Sequence, residues 1–218
     1  MTARRLLPLL LAGLLAGCES IPLPDDAVYH GPFYQPRNFA AEKQLPADIR
    51  RVVLLPLSAD PVAPPETAET LDGVMLQALQ NQQRFEVVRL SREDRRRWFG
   101  QEAFSSASAL PHGMLEQLAS RFAADAVLFT DVTVYQPYRP QSIGLRAKLA
   151  TVRDLRLLWT FDEVISASNP AVANSARRQF LKTDRGSQPL DLSPTALQSP
   201  GRFAAFAAEA MFATLPPR

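Results

Sequence analysis

Residues 50–57 read Arg50-Arg51-Val52-Val53-Leu54-Leu55-Pro56-Leu57, and this stretch decides the class of fold. Four consecutive aliphatic residues after two arginines are typical of a strand that is buried on both faces of a sheet. Proline cannot donate a hydrogen bond to a neighbouring strand, so the strand is expected to end at Pro56. Apolar residues then recur at helical spacing over residues 66–82. They are Leu71, Val74, Met75, Ala78 and Leu79.

The alternation of strands and helices continues along the chain. Residues 84–90 alternate like a half-buried strand, and Ser91 is the expected N-cap of a short helix over 92–99. A loop rich in serine and alanine follows. A second amphipathic helix is then expected over 114–123. The strand after it, 126–135, is rich in β-branched residues.

Two strands with one polar face each complete the predicted sheet. Residues 143–152 alternate in character, and the next strand carries an apolar face. That face is made of Leu155, Leu157, Trp159, Phe161 and Ile165. Such strands are typical of antiparallel pairs, and helical patterns return at 169–182 and 201–215. The expected fold is therefore α+β, with a single mixed or antiparallel sheet of about five strands packed against three or more helices.

The first 18 residues carry the pattern of an export signal. Two arginines, Arg4 and Arg5, precede a largely apolar stretch of ten residues. As a helix it would span about 15 Å, half of a ~30 Å hydrocarbon core, so residues 1–17 predict a signal peptide rather than a membrane span. It ends in Leu15-Ala16-Gly17-Cys18, which resembles the lipobox of bacterial lipoproteins. The resemblance implies acylation of Cys18 after cleavage; the alternative is an ordinary signal peptide with a chance cysteine.

Composition restricts the classes of function. Cleavage before Cys18 would leave 22 basic and 22 acidic side chains, so nothing supports the binding of nucleic acid, which requires an excess of positive charge. One cysteine excludes a disulfide scaffold within the chain, and two histidines offer little for a metal cage. No cofactor or metal is expected. Glu19 stands where an aspartate favours inner-membrane retention in well-studied lipoproteins, so the expected location is the periplasmic side of the outer membrane.

Residues 18–48 are expected to form a lipidated, proline-rich tether. Five prolines without a helical or alternating period are typical of a semi-rigid linker. Four aromatic residues, Tyr29, Phe33, Tyr34 and Phe39, interrupt this pattern. They either dock on the domain or present a motif to a partner. The remainder, 49–218, is expected to be one α/β periplasmic domain with C-terminal helices.

The order of elements resembles that of a known group of bacterial proteins. A buried strand and a helix are followed by Arg84-Phe85-Glu86-Val87-Val88, and a later hairpin carries Leu157-Leu158-Trp159-Thr160. Over roughly residues 50–180 this order is similar to the α/β domain of the lipoproteins CsgG, PelC and LpoB and to the N-terminal domain of TolB. The resemblance implies a periplasm-facing envelope protein without catalytic residues, in a group whose members form rings or bind membrane complexes. The connections at 100–110 and 136–142 are too short and too polar for the membrane-crossing hairpins of CsgG-type channels.

Two stretches are candidates for contact with a partner. The densest basic run is Arg95-Arg96-Arg97-Trp98, and an arginine beside a tryptophan can hold a glycan or an acidic partner. The alternative is a solvated helix face with one anchoring tryptophan. The C-terminal helix is apolar around most of its circumference and must be buried on more than one side. Its Phe206 and Phe212 contact either a partner, such as a second copy of the chain, or the sheet of their own chain.

These observations favour a membrane-anchored, non-catalytic protein that works by binding. Its expected partners are the lipid bilayer, through acylated Cys18, and a protein of the cell envelope. It would serve as an adaptor or an oligomeric subunit in secretion, polysaccharide export or wall synthesis. The alternative is a tethered glycan-processing hydrolase or glycan-binding module, because Asp125, Asp131, Asp162 and Glu163 lie around predicted strands. A cluster of buried carboxylates with perturbed pKa values would favour the enzyme.

Overall fold

The computed structural model describes residues 30–183, 197 and 199–218. Within these residues the chain forms six strands and five helices. The strands are β1 Phe39–Ala41, β2 Arg51–Leu54, β3 Glu86–Arg89, β4 Ala126–Gln136, β5 Ser142–Thr151 and β6 Leu157–Ser166. The helices are α1 Pro65–Asn81, α2 Arg92–Phe99, α3 Met114–Phe122, α4 Pro170–Thr183 and α5 Pro200–Phe212. The predicted α+β class is confirmed.

The strands form one mixed sheet in the order β1-β6-β5-β4-β2-β3. Strand β2 lies between β3 and β4 and is parallel to both. Strands β4, β5, β6 and β1 pair with one another in antiparallel fashion. One half of the sheet is therefore a parallel crossover unit built around α1, and the other half contains the predicted β5–β6 hairpin.

Helices cover both faces of the parallel half of the sheet. On one face, α1, α4 and α5 contribute side chains to the larger hydrophobic core, which also contains Val52 and Leu54. On the other face, α2 and α3 pack on Val53 and Leu55 in the smaller core. Successive residues of a strand point to opposite faces, so β2 is buried on both faces, as its aliphatic run predicts.

The ends of α2 follow from local sequence. Ser91 is its N-cap, and the Ser91 hydroxyl accepts a hydrogen bond from the backbone N–H of Asp94 at 3.0 Å. Gly100 ends the helix in the left-handed conformation, with a φ of 74°, which glycine adopts at low cost. The predicted N-cap is confirmed.

The face predicted for two residues near the start of β6 is wrong. Trp159 pairs with Leu149, whereas Leu157 pairs with Ala150, so Leu158 is an extra residue in the strand. A bulge of this kind shifts the alternation of side chains by one position. Leu158 therefore joins the core with Trp159, while Leu157 is 50% exposed. Leu155, in the preceding turn, is 47% exposed.

A strand that the sequence pattern did not predict lies at the edge of the sheet. Strand β1 belongs to the segment that is expected to be a tether, and it pairs with β6 through Phe39 opposite Phe161 and Ala41 opposite Trp159. It brings the number of strands to six. Three residues cannot show an alternating pattern, so only the pairing with β6 identifies them as a strand.

Candidate functional site

The predicted acylation site, Cys18, lies outside the described residues, and so does Tyr29. None of the helices within residues 30–183 and 199–218 is long and apolar enough to cross a bilayer. The described part of the chain begins at His30. From His30 the chain runs directly onto the surface of the domain.

Residues 30–38, here called the docked segment, contact α4, α5 and β6. The backbone N–H of Tyr34 donates a hydrogen bond to the Ser175 hydroxyl at 2.8 Å. The Asn174 side chain donates to the backbone oxygen of Pro32 at 3.3 Å. Both of these partners are polar, so the docking is specific rather than a collapse of apolar surface.

Aromatic contacts reinforce this docking. The guanidinium carbon of Arg178 lies 4.5 Å from the ring centroid of Phe33, a separation at which cation–π attraction operates. On the other side, the Tyr34 ring lies 6.4 Å from that of Phe206 on α5. With Phe39, which pairs with Phe161 in the sheet, three of the four aromatic residues of the predicted tether contact the domain.

The side chain of Glu163, on β6, holds the end of the docked segment. Its Oε2 atom accepts hydrogen bonds from the backbone N–H groups of Arg37, at 2.8 Å, and Asn38, at 3.1 Å. Burial raises the pKa of Tyr34, and the negative charge of Glu163 raises that pKa further. Beyond β1 the chain stays attached, because Leu45 is buried in the core.

Arg95, the first residue of the predicted basic run, points into the protein. Its side chain is 0% exposed, and its guanidinium carbon lies 3.2 Å from the ring centroid of Phe104. Within the described residues none of its three side-chain nitrogens has a hydrogen-bond partner. Burial, with a contribution from the positive charge of Arg92, lowers the pKa of Arg95 to about 9. The structure thus places Arg95 away from any surface that a partner could reach.

The next three residues of the run divide between solvent and the α2–α3 contact. Arg96 and Arg97 are both mostly exposed and pair with acidic side chains, Arg96 with Glu102 and Arg97 with Glu93 at 2.8 Å. The Trp98 ring packs against α3, with its centroid 5.9 Å from that of Phe122. This arrangement matches the interpretation of a solvated helix face with one anchoring tryptophan.

Phe206 and Phe212 lie in the larger core rather than on a surface. Their side chains are 4% and 0% exposed. The ring of Phe212 lies 6.1 Å from that of Trp159, and α5 packs against α1, α4 and β5. The structure therefore places both phenylalanines against their own chain, because the sheet and two helices cover the apolar circumference of α5.

A cavity of about 430 Å³ opens at the carboxyl end of β2. Ligand sites of α/β sheets commonly lie at this end of the parallel strands. Its wall contains Arg92, Glu102, Phe104, Ser105 and Ser108. Since Phe104 also covers the Arg95 guanidinium, the loop between α2 and α3 separates the cavity from that buried charge.

Asp72, next to this cavity, is a buried carboxylate that sequence reasoning missed. Its Oδ1 atom accepts from the backbone N–H of Leu57 at 2.7 Å, and its Oδ2 atom accepts from Nε of Arg92 at 2.6 Å. Arg92 also donates to the backbone oxygen of Leu57 at 2.7 Å. Asp72 and Arg92 thus fix the turn after β2. An acidic residue beside an apolar helical stripe gives no signal of this role in the sequence.

Asp131, on β4, is the second buried carboxylate among the described residues. Both of its oxygens accept from the backbone N–H of Ser106 at 3.0 Å, and the Ser106 hydroxyl donates to Oδ2 at 2.5 Å. Burial raises the pKa of Asp131, and the hydrogen bonds from Ser106 oppose that shift. Lys148 donates to the backbone oxygen of Ser106 at 2.8 Å. Asp131 therefore anchors the loop between α2 and α3.

The two buried carboxylates hold different parts of the chain: Asp72 holds the turn after β2, and Asp131 holds the loop between α2 and α3. Asp125 caps the start of β2 through the backbone N–H groups of Arg50 and Arg51, both at 2.9 Å. Asp162 pairs with Arg146 at 2.8 Å on the exposed face of the antiparallel half of the sheet. Over the described part of the chain, no three histidine, cysteine or acidic side chains are grouped as a metal site requires.

Comparison of sequences identifies no relatives of this chain. No protein-family profile matches it, and no curated protein sequence matches it at a significant level.

Three solved structures are similar to this chain at low values of identity and TM-score. Lipoprotein GNA1162 from Neisseria meningitidis is 19% identical, with 64% of this chain and 96% of that chain covered and a TM-score of 0.44. The PelC dodecamer from Paraburkholderia phytofirmans is 11% identical, with 83% and 97% covered and a TM-score of 0.45. The LpoB C-terminal domain from Salmonella enterica is 15% identical, with 54% and 82% covered and a TM-score of 0.34. Similarity at these values assigns neither a function nor a partner to this chain.

Proposed function

We propose that this protein is a lipoprotein of the bacterial cell envelope that acts by binding and not by catalysis. The observation that carries the proposal is the segment Leu15-Ala16-Gly17-Cys18, which contains the only cysteine of the chain. In a lipobox the thiol is the attachment point of the lipid. A unique cysteine at the one position that the motif requires is difficult to explain otherwise.

The anchor would be permanent. Each acyl methylene that enters the bilayer contributes about 0.8 kcal/mol, and a single chain binds only reversibly, so stable anchoring needs more than one. Lipoproteins of this kind carry a diacylglycerol group on the cysteine and a further acyl chain on the new amino terminus. Glu19, in place of an aspartate, favours the periplasmic side of the outer membrane.

A binding role agrees with how the domain uses its acidic groups. The buried carboxylates of Asp72 and Asp131 are each occupied by hydrogen bonds from a neighbouring loop. The exposed Arg96 and Arg97 are the members of the predicted basic run that remain able to meet an acidic partner, another envelope protein or a second copy of the chain. We propose the role of adaptor or oligomeric subunit on this basis.

Substitution of Cys18 tests the anchor. Cells that express the wild type or Cys18→Ser are labelled with an alkyne fatty acid and then fractionated. The wild type should carry the label and sediment with the outer membrane, whereas Cys18→Ser should carry none and appear as unprocessed or soluble protein. A labelled Cys18→Ser protein would refute the proposal.

A second experiment addresses the binding role. Intact cells are treated with a cleavable crosslinker, and partners of the anchored protein are identified by mass spectrometry. Arg96→Glu with Arg97→Glu should reduce specific crosslinks while the protein stays folded. Hydrolysis of peptidoglycan or exopolysaccharide by the purified wild type, abolished in Asp131→Asn, would instead support a glycan-processing enzyme.

A further inference from the structure

The docked segment limits how far the domain can stand from a lipid attached at Cys18. A trans peptide chain advances at most about 3.3–3.6 Å per residue. The chain takes twelve steps from Cys18 to His30, so the domain must lie within about 40 Å of the anchored end. Were the whole stretch up to residue 48 undocked, the same rule would allow about 100 Å.

The place where the chain reaches the domain is on the outside of α4. Pro32, Phe33 and Tyr34 contact Asn174, Arg178 and Ser175, respectively. Helices α4 and α3 belong to different cores on opposite faces of the sheet. The short connection to Cys18 therefore starts on the α4 side of the domain and not on the α3 side.

Helix α4 and the docked segment both carry basic side chains, and the acidic group that meets them is Glu163 of β6, at the end of the docked segment. Helix α4 contains Arg177, Arg178 and Lys182 and has no acidic residue within Pro170–Thr183. The docked segment adds Arg37 and again no acidic residue. Arg37, Arg178 and Lys182 are exposed. We call this set of four basic residues, on α4 and the docked segment, the α4 surface.

We propose that the α4 surface faces the bilayer to which the protein is anchored and contacts its anionic lipid headgroups. The inference rests on the proposed acylation of Cys18. The short connection brings this surface close to the headgroups, and opposite charge holds it there. Attraction of this kind contributes an approximately fivefold gain in affinity for each basic residue near an anionic membrane surface, and it acts within a Debye length of about 8–10 Å.

Energy transfer to the membrane tests this orientation. Acylation blocks Cys18, so a cysteine introduced into the mature, acylated protein is its only free thiol. A donor dye is placed at Gln35→Cys, in the docked segment, or at Ser120→Cys, an exposed position on α3. The protein is reconstituted into vesicles of phosphatidylcholine with phosphatidylglycerol that contain an acceptor-labelled lipid. Transfer should be stronger from position 35 than from position 120; equal or reversed transfer would overturn the proposal.

Charge reversal tests the contact with headgroups. In vesicles that contain phosphatidylglycerol, Arg37→Glu with Lys182→Glu should lose the difference in transfer between the two dye positions. The matched control is Lys43→Glu with Arg153→Glu, which changes the charge equally at exposed positions outside the α4 surface. The control should keep the difference. If the first pair keeps the difference too, or if the wild type shows it equally in pure phosphatidylcholine, charge does not hold the surface and the proposal fails.

Failure of the acylation proposal is distinguishable from failure of this one. Mass spectrometry of the N-terminal peptide reports the acyl chains on residue 18 directly. A protein without them does not associate with the vesicles, and the proposed function is then refuted. An acylated, vesicle-bound protein with equal transfer from both positions refutes only the orientation.

Discussion

The guanidinium of Arg95 lies face-on against the ring of Phe104, 3.2 Å from its centroid, and is sealed from solvent. A buried cation is usually paired with a carboxylate, since burial without a partner costs several kcal/mol. Among the described residues Arg95 has no such partner. The Arg95 guanidinium packs against the ring of Phe104 instead.

Replacing Arg95 with an apolar side chain of similar length should therefore stabilise the domain. Arg95→Met removes the buried charge and keeps most of the contact with Phe104, and a gain of about 1–4 kcal/mol is expected. Urea unfolding followed by circular dichroism measures it. Arg96→Met, at an exposed position of the same helix, should change the free energy of unfolding by no more than about 0.5 kcal/mol. A loss of stability in Arg95→Met would mean that the guanidinium has a partner.

Trp159 should be among the most costly residues to truncate. Its side chain is 1% exposed, stacks on Phe161 with centroids 6.2 Å apart, and donates from Nε1 to the Thr214 hydroxyl at 2.9 Å. Trp159→Ala should lower the free energy of unfolding by about 3–5 kcal/mol. Leu157→Ala is the matched control, because the bulge at Leu158 leaves the Leu157 side chain half exposed. Equal effects of the two changes in thermal unfolding would contradict the register of β6.

Gly144 should not tolerate a side chain. The pairing of β4 with β5 skips Thr133, since Val132 lies opposite Leu145 and Val134 opposite Gly144. A Cβ atom on residue 144 would lie 2.9 Å from the backbone nitrogen of Val134. Gly144→Ala should therefore destabilise the domain by about 1–3 kcal/mol, as overpacking does. Gly73→Ala, where a Cβ would meet nothing within 4 Å, is the comparison, and equal melting temperatures would refute the clash.

The Glu163 carboxylate should control whether the docked segment stays attached. Glu163→Ala removes the acceptor of the Arg37 and Asn38 backbone N–H groups, so trypsin should cut after Arg37 faster than in the wild type. Glu163→Gln keeps a carbonyl oxygen that can accept, and its cleavage rate should stay close to that of the wild type. Peptide mass fingerprints over time give both rates. Equal cleavage of all three proteins would show that other contacts suffice.

The parts of the fold that depend on local sequence were predictable. The aliphatic run of β2, the helical stripe of α1 and the Ser91 cap of α2 each lie within one stretch of chain. The pairing of β1 with β6 and the bulge at Leu158 arise from contacts between distant segments, and the bulge inverted the predicted face of Leu157 because alternation alone cannot register an inserted residue.

Contacts between distant segments were equally hard to predict in the candidate site. The basic run 95–98 was visible in the sequence, but the direction of Arg95 was not, because the loop that carries Phe104 covers it. Asp72 gave no signal, since its role exists only when Arg92 and the turn at Leu57 come together. Predictions from pattern therefore succeeded for the longer helices and strands and failed for Arg95 and Asp72, whose contacts depend on distant parts of the chain.

The docking of residues 30–38 also sets an order in time. The Tyr34 backbone and the Ser175 hydroxyl that receives its hydrogen bond are 141 positions apart. A chain that is exported from its N-terminus delivers Tyr34 long before α4 exists, and closing so large a loop is slow compared with forming a helix or a hairpin. The contacts of the docked segment with α4 can therefore form only after most of the chain has been exported. Under the proposed function, an enzyme that acylates residue 18 during that interval would act before residues 30–38 attach to α4, and the later attachment would shorten the stretch of chain between residue 18 and the domain.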